Sequence, residues 1–416
     1  MRDKDMQPQK GEQIMKRVVI TGMAPLCPLG YSHEELFENL CERKRITVDI
    51  DKNNECRKKL RATKIVPYPE LDDGNFTEET LMVKARGSTS AYAAVKASLG
   101  ALKDAGLEKA DDDAMVFIGS DSFSMKEFTE DITRYEREQR MNIMVVPITM
   151  QSSVDSWVTI VLGTHGRSSI LNMACASATT AIGWGYDNIR AGRCKMALCG
   201  GSNCITDKNL MMNKGFEYLK CSTTDSEGNS YPFSEERNGF LFSEGGTCML
   251  VLEELESALA RKAEIYAEIT GFESTSDAYS ILSMRPDGDI IEGMLRKLIG
   301  DKKIDYYNAH GTATLLNDEV ERKVLKNIFG DKSKQPAISA TKAFMGHTLA
   351  ASGAFEAAVC VDSIRHNKVH GNLLATPFDD INITAETREM QVDTAISASF
   401  GFGGFNSALL IERYRE

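Results

Sequence analysis

The chain lacks an excess of positive charge and a long apolar run, and each absence excludes a class of protein. Among its 416 residues, 49 are basic and 60 acidic, so the formal net charge is −11. General nucleic-acid binding usually needs a basic domain. No apolar run approaches the ~18–20 residues of a membrane-spanning helix. We therefore expect neither a nucleic acid nor a membrane among the partners.

A paired-cysteine motif and a secretory leader are also missing. The ten cysteines include no C-x-x-C pair, which argues against a structural zinc site, and a chain this long does not depend on a disulfide framework. The segment 1–16 is polar, without the apolar core of a signal peptide, and is expected to be a disordered leader. These features predict a cytoplasmic protein with reduced thiols.

The remaining composition and pattern indicate a folded α/β protein. Hydrophobic residues make up 42% of the chain and charged residues 26%, values typical of a globular domain with a sizeable core. Short β-branched runs alternate with amphipathic helices in two successive halves, which predicts mainly parallel sheets. We place the halves at 17–265 and 266–416. No Pro/Gly linker separates them, so we expect them to be fused.

Cys175 stands in a context that suits a nucleophile. It follows a predicted strand and opens an Ala- and Ser-rich helix that runs to about Arg190. A thiol at a helix N-terminus faces free N–H groups and the positive end of the dipole, which favours the thiolate and offers donors to an oxyanion. The alternative is a cysteine that only packs in the core.

Two histidines share a strand-to-helix context. His310 and His347 each follow a predicted strand and precede a helix, and the chain has only six histidines. Neutral imidazoles in such positions could donate hydrogen bonds to a developing oxyanion. A structural role is the usual alternative for a single histidine. Metal binding by this pair is not expected, because no matching carboxylate motif accompanies it.

At these residues the chain resembles the β-ketoacyl-ACP synthases of the thiolase superfamily. The resemblance covers about residues 17–412. Its six motifs occur in order: 17–22 (RVVITG), 174–177 (ACAS), 232–240 (PF…RNGF), 308–312 (NAHGT), 341–347 (TK…GH) and 399–404 (SFGFGG). The resemblance implies a thiolase fold, a five-layered α-β-α-β-α arrangement of two duplicated halves. It also implies an obligatory dimer.

The resemblance also implies a role for each site residue. Elongating members carry Cys-His-His, matched here by Cys175, His310 and His347. Lys342 corresponds to the family's supporting lysine and Glu356 to its carboxylate. Phe402 corresponds to the gating phenylalanine, whose backbone amide forms the oxyanion hole together with the amide of Cys175. Thr312 and Thr314 correspond to the hydroxyl residues that bind pantetheine. By position, the residues that dock the acidic carrier protein are Lys84, Arg86, Arg140 and Arg237.

Departures from the family pattern bear on the substrate. The usual Thr-Pro-Leu-Gly-Asp is Thr-Leu-Leu-Asn-Asp at 314–318, Arg-Asp-Gly is Arg-Asn-Gly at 237–239, and Ser280 replaces a frequent histidine. Phe405 follows the last glycines, where fatty-acid enzymes usually have threonine. That phenylalanine resembles the ketosynthase (alpha) subunit of type II polyketide synthases.

The expected reaction is a decarboxylating Claisen condensation of an acyl or polyketide chain with malonyl-acyl carrier protein. No metal or organic cofactor is expected on this chain, because the substrates are carried on the phosphopantetheine of the carrier protein. The expected partner is a ketosynthase-like chain-length factor in a heterodimer, or a second copy in a homodimer. The alternatives are a housekeeping 3-oxoacyl-ACP synthase of fatty acid synthesis and a non-catalytic chain-length-setting subunit.

Overall fold

The computed structural model describes residues 15–71, 77–122, 124–206 and 209–416. Most of the expected leader, residues 1–14, lies outside this range. The strands in the described residues are β1 Val18–Leu26, β2 Val48–Asp49, β3 Lys64–Ile65, β4 Met115–Gly119, β5 Ser168–Leu171, β6 Met196–Cys204, β7 Gly245–Glu254, β8 Ala267–Ser276, β9 Tyr306–Asn308, β10 Ala337–Ser339, β11 Lys368–Val369, β12 Arg388–Glu389, β13 Thr394–Gly401 and β14 Phe405–Glu412.

Helices connect these strands. They are α1 His33–Cys41, α2 Glu78–Arg86, α3 Thr89–Asp104, α4 Met125–Glu138, α5 Val145–Thr149, α6 Ser153–Leu162, α7 Ser177–Arg190, α8 Met211–Tyr218, α9 Leu255–Ala260, α10 Asp289–Ile299, α11 Leu315–Phe329, α12 Lys342–Met345 and α13 Ser352–His366. Short 3-10 turns lie at Glu55–Lys59, Lys332–Lys334 and Leu349–Ala351.

The main sheet repeats one strand order twice. Its ten strands run β10-β9-β13-β14-β8-β1-β7-β6-β4-β5. Counted within each half, both sets of five have the order third, second, fourth, fifth, first. The third, second and fourth strands pair in parallel, and the fifth pairs antiparallel with both the fourth and the first, so only the fifth strand runs opposite to the rest. The duplication expected of a thiolase fold is therefore present. The exact division at 265/266 stays a prediction.

Helices form three layers around the two half-sheets. Helix α3 packs on β1, β6 and β7, and α10 packs on β8 and β14, so each half has an outer helical layer. Between the half-sheets lie α7 and α13, which contact each other and strands of both halves. The layers therefore alternate α-β-α-β-α, as expected. The half-sheets also meet edge to edge, where three residues of β1 pair with three of β8.

Sequence signals explain where the longer helices begin and end. Helix α3 starts after Ser88, whose hydroxyl accepts the N–H of Ala91 at 3.2 Å, and Gly106 follows its end at φ +71°. Ser32 caps α1 in the same way, but the carboxylate of Glu35 accepts the N–H of Tyr31 and not that of Ser32. The Ser32-x-x-Glu35 spacing predicts a capping box, in which the two residues would bond reciprocally, and this box is only half formed.

Candidate active site

The nucleophile lies in a tight turn between β5 and α7. Ala174 adopts φ +47°, and the Ser177 hydroxyl accepts the N–H of Met173 at 2.8 Å and donates to the Ala174 carbonyl at 2.6 Å. Neighbouring β4 must approach closely, because a Cβ built at Gly119 would lie 2.4 Å from the nitrogen of Ala178. The turn therefore holds Cys175 just ahead of the α7 N-terminus.

Burial keeps the Cys175 thiol protonated. It raises the pKa of Cys175 to about 12, and the nearby carboxyl of Asp121 adds to the rise. The ammonium of Lys342 and the backbone N–H of Phe402 act in the opposite direction without reversing it. The expectation that the helix N-terminus favours the thiolate is wrong for this resting site. Ala176, not Cys175, is the N-cap of α7, and burial outweighs the dipole.

His347 contacts the nucleophile directly. Its Nε2 lies 3.1 Å from the Cys175 sulfur, and its Nδ1 accepts the backbone N–H of Leu349 at 3.3 Å. Because Nδ1 accepts, the proton of the neutral ring is on Nε2, facing the sulfur. Burial, followed by the charge of Lys342, lowers the pKa of His347 well below its usual value. The imidazole is therefore neutral at pH 7 and acts as a donor.

His310 faces His347 across the site. Their ring centroids are 5.7 Å apart with planes at 82°, and Phe400 packs against His310 at 5.6 Å. Burial, then Lys342 and His347, lowers the pKa of His310 well below its usual value. A single cavity therefore holds the thiol and two neutral imidazoles.

A pair of buried carboxylates holds the His310 loop in place. Glu321 accepts the backbone N–H groups of His310 and Gly311, both at 2.9 Å. Asp318 accepts those of Ala313 at 3.0 Å and Phe233 at 2.7 Å. Burial raises the pKa of Asp318 to about 6 and that of Glu321 to about 7. Both acids lie on α11, so the helix after the histidine anchors the loop that carries it.

A buried ion pair lies behind the two histidines. The ammonium of Lys342 contacts the carboxylate of Glu356 and donates to the backbone carbonyl of His310 at 2.8 Å. Both side chains are buried. Lys342 therefore fixes the His310 backbone and places a positive charge near both imidazoles, where it favours their neutral form.

The reactive groups line one end of a cavity of about 400 Å³. Thr312 and Thr314 line its wall and pair through their hydroxyls at 2.9 Å. Phe402 closes another side, with its ring 6.5 Å from that of Phe216. A thiol, two imidazoles and paired hydroxyls along an apolar channel suit a thioester on a flexible arm.

The four expected docking residues have different environments. Lys84, Arg86 and Arg140 are exposed. Arg237 is not: only 10% of its side chain is exposed, its guanidinium donates to the carbonyls of Ser234 and Leu315, and it stacks on Phe378. Arg237 therefore ties the turn before α11 to the core and is not available as a surface cation.

The ligand atoms of Cys175, His310 and His347 lie within 4.8 Å of one another. Three groups this close together could bind a metal ion or catalyse a condensation reaction. A cation that needs the thiolate would have to displace a proton held by burial. The expectation that no metal binds here stays a prediction. Separately, none of the helices in the described residues has the length and apolarity needed to cross a membrane.

Sequence reasoning missed the groups that support the site. Asp318 appeared only as part of an altered turn, and Glu321 and Asp121 were not singled out. A signal for the first two exists in the sequence, because acids spaced by three residues at the start of a helix point to the same side. The sequence carried no signal for Asp121, whose importance depends on tertiary packing beside Cys175.

Comparison with known proteins agrees with this geometry. Residues 15–258 match the β-ketoacyl synthase N-terminal domain and 266–375 the C-terminal domain. The chain is 31% identical to a 3-oxoacyl-[acyl-carrier-protein] synthase 2 of Synechocystis and 33% identical to one of Staphylococcus aureus, each over 96% of this chain and 99% of the relative.

Solved structures share the fold. A β-ketoacyl synthase from Burkholderia phymatum superposes with a TM-score of 0.85 at 28% identity, over 96% of this chain and all of that one. The ishigamide ketosynthase/chain length factor has the same TM-score and coverage at 24% identity. The chain therefore belongs to the β-ketoacyl synthase family and is an acyl-transferring condensing enzyme.

Proposed function

We propose that this enzyme is the ketosynthase of a type II polyketide system, condensing a carrier-bound acyl or polyketide chain with malonyl-acyl carrier protein. The observation that carries the condensation chemistry is the 3.1 Å contact between the Cys175 sulfur and Nε2 of a neutral His347, with His310 opposite. This arrangement supplies one nucleophile and two hydrogen-bond donors in a single cavity.

In the first half-reaction, Cys175 attacks the acyl thioester of the carrier. A new sulfur–carbon bond forms, the pantetheine sulfur leaves, and the thiol proton of Cys175 passes to it. The backbone N–H groups of Cys175 and Phe402 serve as the oxyanion hole. The N–H of Phe402 acts on the Cys175 thiol to lower its pKa, so it is placed to act also on an oxyanion formed next to that sulfur.

In the second half-reaction, malonyl-carrier protein enters and its thioester oxygen accepts hydrogen bonds from His310 and His347. The bond to the carboxylate breaks, CO2 leaves, and its electron pair forms an enolate at that oxygen. The enolate carbon then attacks the Cys175 thioester, and the thiolate leaves and recovers a proton. Lys342 supports both histidines, and Glu356 balances its charge. Thr312 and Thr314 hold the pantetheine arm.

Two departures from the fatty-acid pattern favour a polyketide substrate. Phe405 follows the last glycines, and its ring lies over Gly403. A Cβ added to Gly403 would lie 2.9 Å from that ring. Leu315 and Leu316 replace the usual Pro-Leu and line the cavity. The curated relatives are 3-oxoacyl-ACP synthases of the fatty-acid type, so a housekeeping elongation enzyme is the second candidate.

We also propose a heterodimer with a ketosynthase-like partner. Helices α4 to α6 expose a row of large apolar side chains that no described residue covers, which we call the α4–α6 apolar face: Phe128, Ile132, Tyr135, Met141, Ile143, Val146, Met150 and Ile160. It lies next to β5, a terminal strand of the sheet. Exposed apolar surface beside a free strand edge suits a partner chain.

Co-expression tests the assignment. The chain expressed alone is expected to aggregate or stay inactive, whereas co-expression with a ketosynthase-like paralogue that lacks the cysteine should give a soluble 1:1 complex. Intact-mass analysis of this complex after incubation with acyl-carrier protein should locate an acyl group on Cys175. A stable homodimer that extends saturated acyl chains alone would establish the housekeeping alternative instead.

A matched pair of variants tests the interface within that experiment. Ile143→Asp places a charge in the α4–α6 apolar face and should abolish the complex in size-exclusion chromatography with light scattering. Ile46→Asp, at an exposed position outside that face, should leave it intact. Equal complex formation by both variants would rule out this face.

A further inference from the structure

An acidic residue, Asp121, lies just beyond the end of β4, the strand that pairs with β5 before Cys175. Parallel strands β4, β5 and β6 end at one edge of the sheet, and such edges form ligand sites. The N–H of Ser120 donates to the carbonyl of Leu171, four residues before Cys175, at 3.1 Å. Asp121 follows immediately, and its carboxyl acts electrostatically on the Cys175 thiol.

Neighbouring groups fix the Asp121 carboxyl in position. It accepts hydrogen bonds from the side chains of Asn203 and Ser122 and from the backbone N–H groups of Asp121 itself and of Ala350. Asn203 in turn accepts the N–H of Ser122 at 3.0 Å and donates to the carbonyl of Thr348 at 3.4 Å. The carboxyl is thus held between the ends of two strands and the turn that follows His347.

One oxygen of this carboxyl is left without a partner. Oδ1 of Asp121 is enclosed and has no hydrogen bond, and the same is true of the hydroxyl oxygen of Ser120. Buried acceptors without partners are uncommon because each carries a desolvation cost. Two such atoms just beyond β4, whose neighbour β5 leads to Cys175, point to a hydrogen-bond donor that comes with the substrate.

The two-substrate reaction requires space on this side of the sulfur. The cavity lined by Thr312 and Thr314 has to admit the pantetheine arm of malonyl-carrier protein while the acyl chain is still bound to Cys175. The acyl chain must therefore extend from Cys175 in a direction different from that of the pantetheine arm. Among the described residues that line the cavity, none comes from the end of β4, so an acyl chain directed toward Asp121 would not compete with the pantetheine arm for this cavity.

We propose that Asp121 is a specificity-determining residue whose free carboxyl oxygen accepts a hydrogen bond from a hydroxyl or enol hydroxyl on the acyl chain. The inference rests on the proposed function, and it narrows the substrate class to acyl chains oxygenated near the thioester. A saturated chain of the same length leaves the oxygen unpaired, and sites built for a substrate hydroxyl reject analogues that lack it.

Acylation of Cys175 by matched thioesters tests this. Octanoyl, 3-hydroxyoctanoyl and 5-hydroxyoctanoyl groups on the carrier protein are supplied to the complex, and acyl transfer is followed by intact mass. We expect one hydroxylated chain to react at least ~10-fold faster than octanoyl, and Asp121→Ala to bring this ratio close to one. Because both chains react with the same thiol, any change in its reactivity cancels in the ratio.

Further variants complete the design. Asp121→Asn keeps the size and should also shrink the ratio, because a neutral amide oxygen is a weaker acceptor. Asp155→Ala removes another buried acid with an unpartnered oxygen, on α6, and should leave it unchanged. Equal rates for all three chains, or a ratio that Asp121→Ala does not alter, overturns the inference. No acylation by any chain overturns the proposed function itself.

Discussion

The thiol and the two imidazoles have separable tasks. In the proposed mechanism, Cys175 carries the acyl chain, whereas His310 and His347 act on the malonyl thioester. Cys175→Ala should therefore abolish acyl transfer and condensation, because the other thiol that lines the cavity, Cys221, bonds to the carbonyl of Leu219 and not to His347. Malonyl decarboxylation should survive. Radiolabelled acyl transfer and CO2 release, measured on one preparation, separate the two. Elongation by the variant would contradict the assignment of Cys175.

Each histidine should contribute to decarboxylation by itself. His310→Ala or His347→Ala removes one neutral donor from the thioester oxygen, and losing one such donor typically costs ~10²–10³-fold in rate. CO2 release from malonyl-carrier protein measures the effect. Tyr307→Phe is a useful control, since it removes only a 3.1 Å hydrogen bond to Glu321 and keeps both rings. Wild-type decarboxylation in both alanine variants would exclude the histidine roles.

At the level of elements, the docking surface can be tested on one helix. Lys84 and Arg86 lie in the last turn of α2. Replacing both with glutamate should raise the KM for carrier-bound substrate and leave the KM for a small thioester mimic unchanged, because only the acidic carrier meets the reversed charge. Lys109→Glu, at a distant exposed lysine, is the control. An equal change with both substrates would rule out this surface.

Elements with a strong local signal could be predicted from sequence. The β-branched run at β1 and the serine cap and glycine end of α3 are local, and both elements form as expected. The polar sequence of 45–80 predicts an irregular segment, yet β2 and β3 pair there through two residues each. So short a ladder depends on packing around it. The sequence pattern at 264–270 predicts a strand there, and the structure has it at Ala267–Ser276, because β14 extends its pairing.

The site could be predicted only in part for a related reason. Motifs indicate side chains that can react, so the sequence predicts Cys175, His310 and His347, and the structure places all three in one cavity. The burial that keeps the thiol protonated, and the buried position of Arg237, depend on which distant segments cover them. The sequence alone does not identify the distant segments that cover Cys175 and Arg237.

The whole molecule should lose stability as the pH rises above neutrality. Burial alone would lower the pKa of His33, but the carboxylates of Asp104, 3.6 Å from Nε2, and Asp362, 2.9 Å from Nδ1, outweigh it and raise the pKa to about 9. Glu34 also faces the ring, at 3.0 Å. A raised histidine pKa contributes stability that is complete below ~6.5, the unfolded value, and is lost as the pH rises through about 9. The contribution is ~3 kcal/mol.

Urea unfolding of the complex at pH 6.5 and pH 9 measures this loss. The wild type should unfold at lower urea at pH 9, whereas His33→Phe, which has no proton to lose, should show a much smaller difference between the two pH values. Asp318 and Glu321 act in the same direction, but mainly below pH 7, since their pKa values rise only to about 6 and about 7. An equal pH difference in both proteins would contradict the role of His33.

The junction between the half-sheets has a consequence for biosynthesis. Val18 pairs with Glu254 on one side and Ile269 on the other, so the first strand to leave the ribosome has partners that are made much later. At about 5–20 residues per second, the 236 residues from Val18 to Glu254 take about 10–50 s to synthesise. An apolar strand therefore stays unpaired through most of translation. Slower elongation would prolong its exposure to aggregation, and a chaperone that holds the nascent N-terminus should increase the yield of native enzyme.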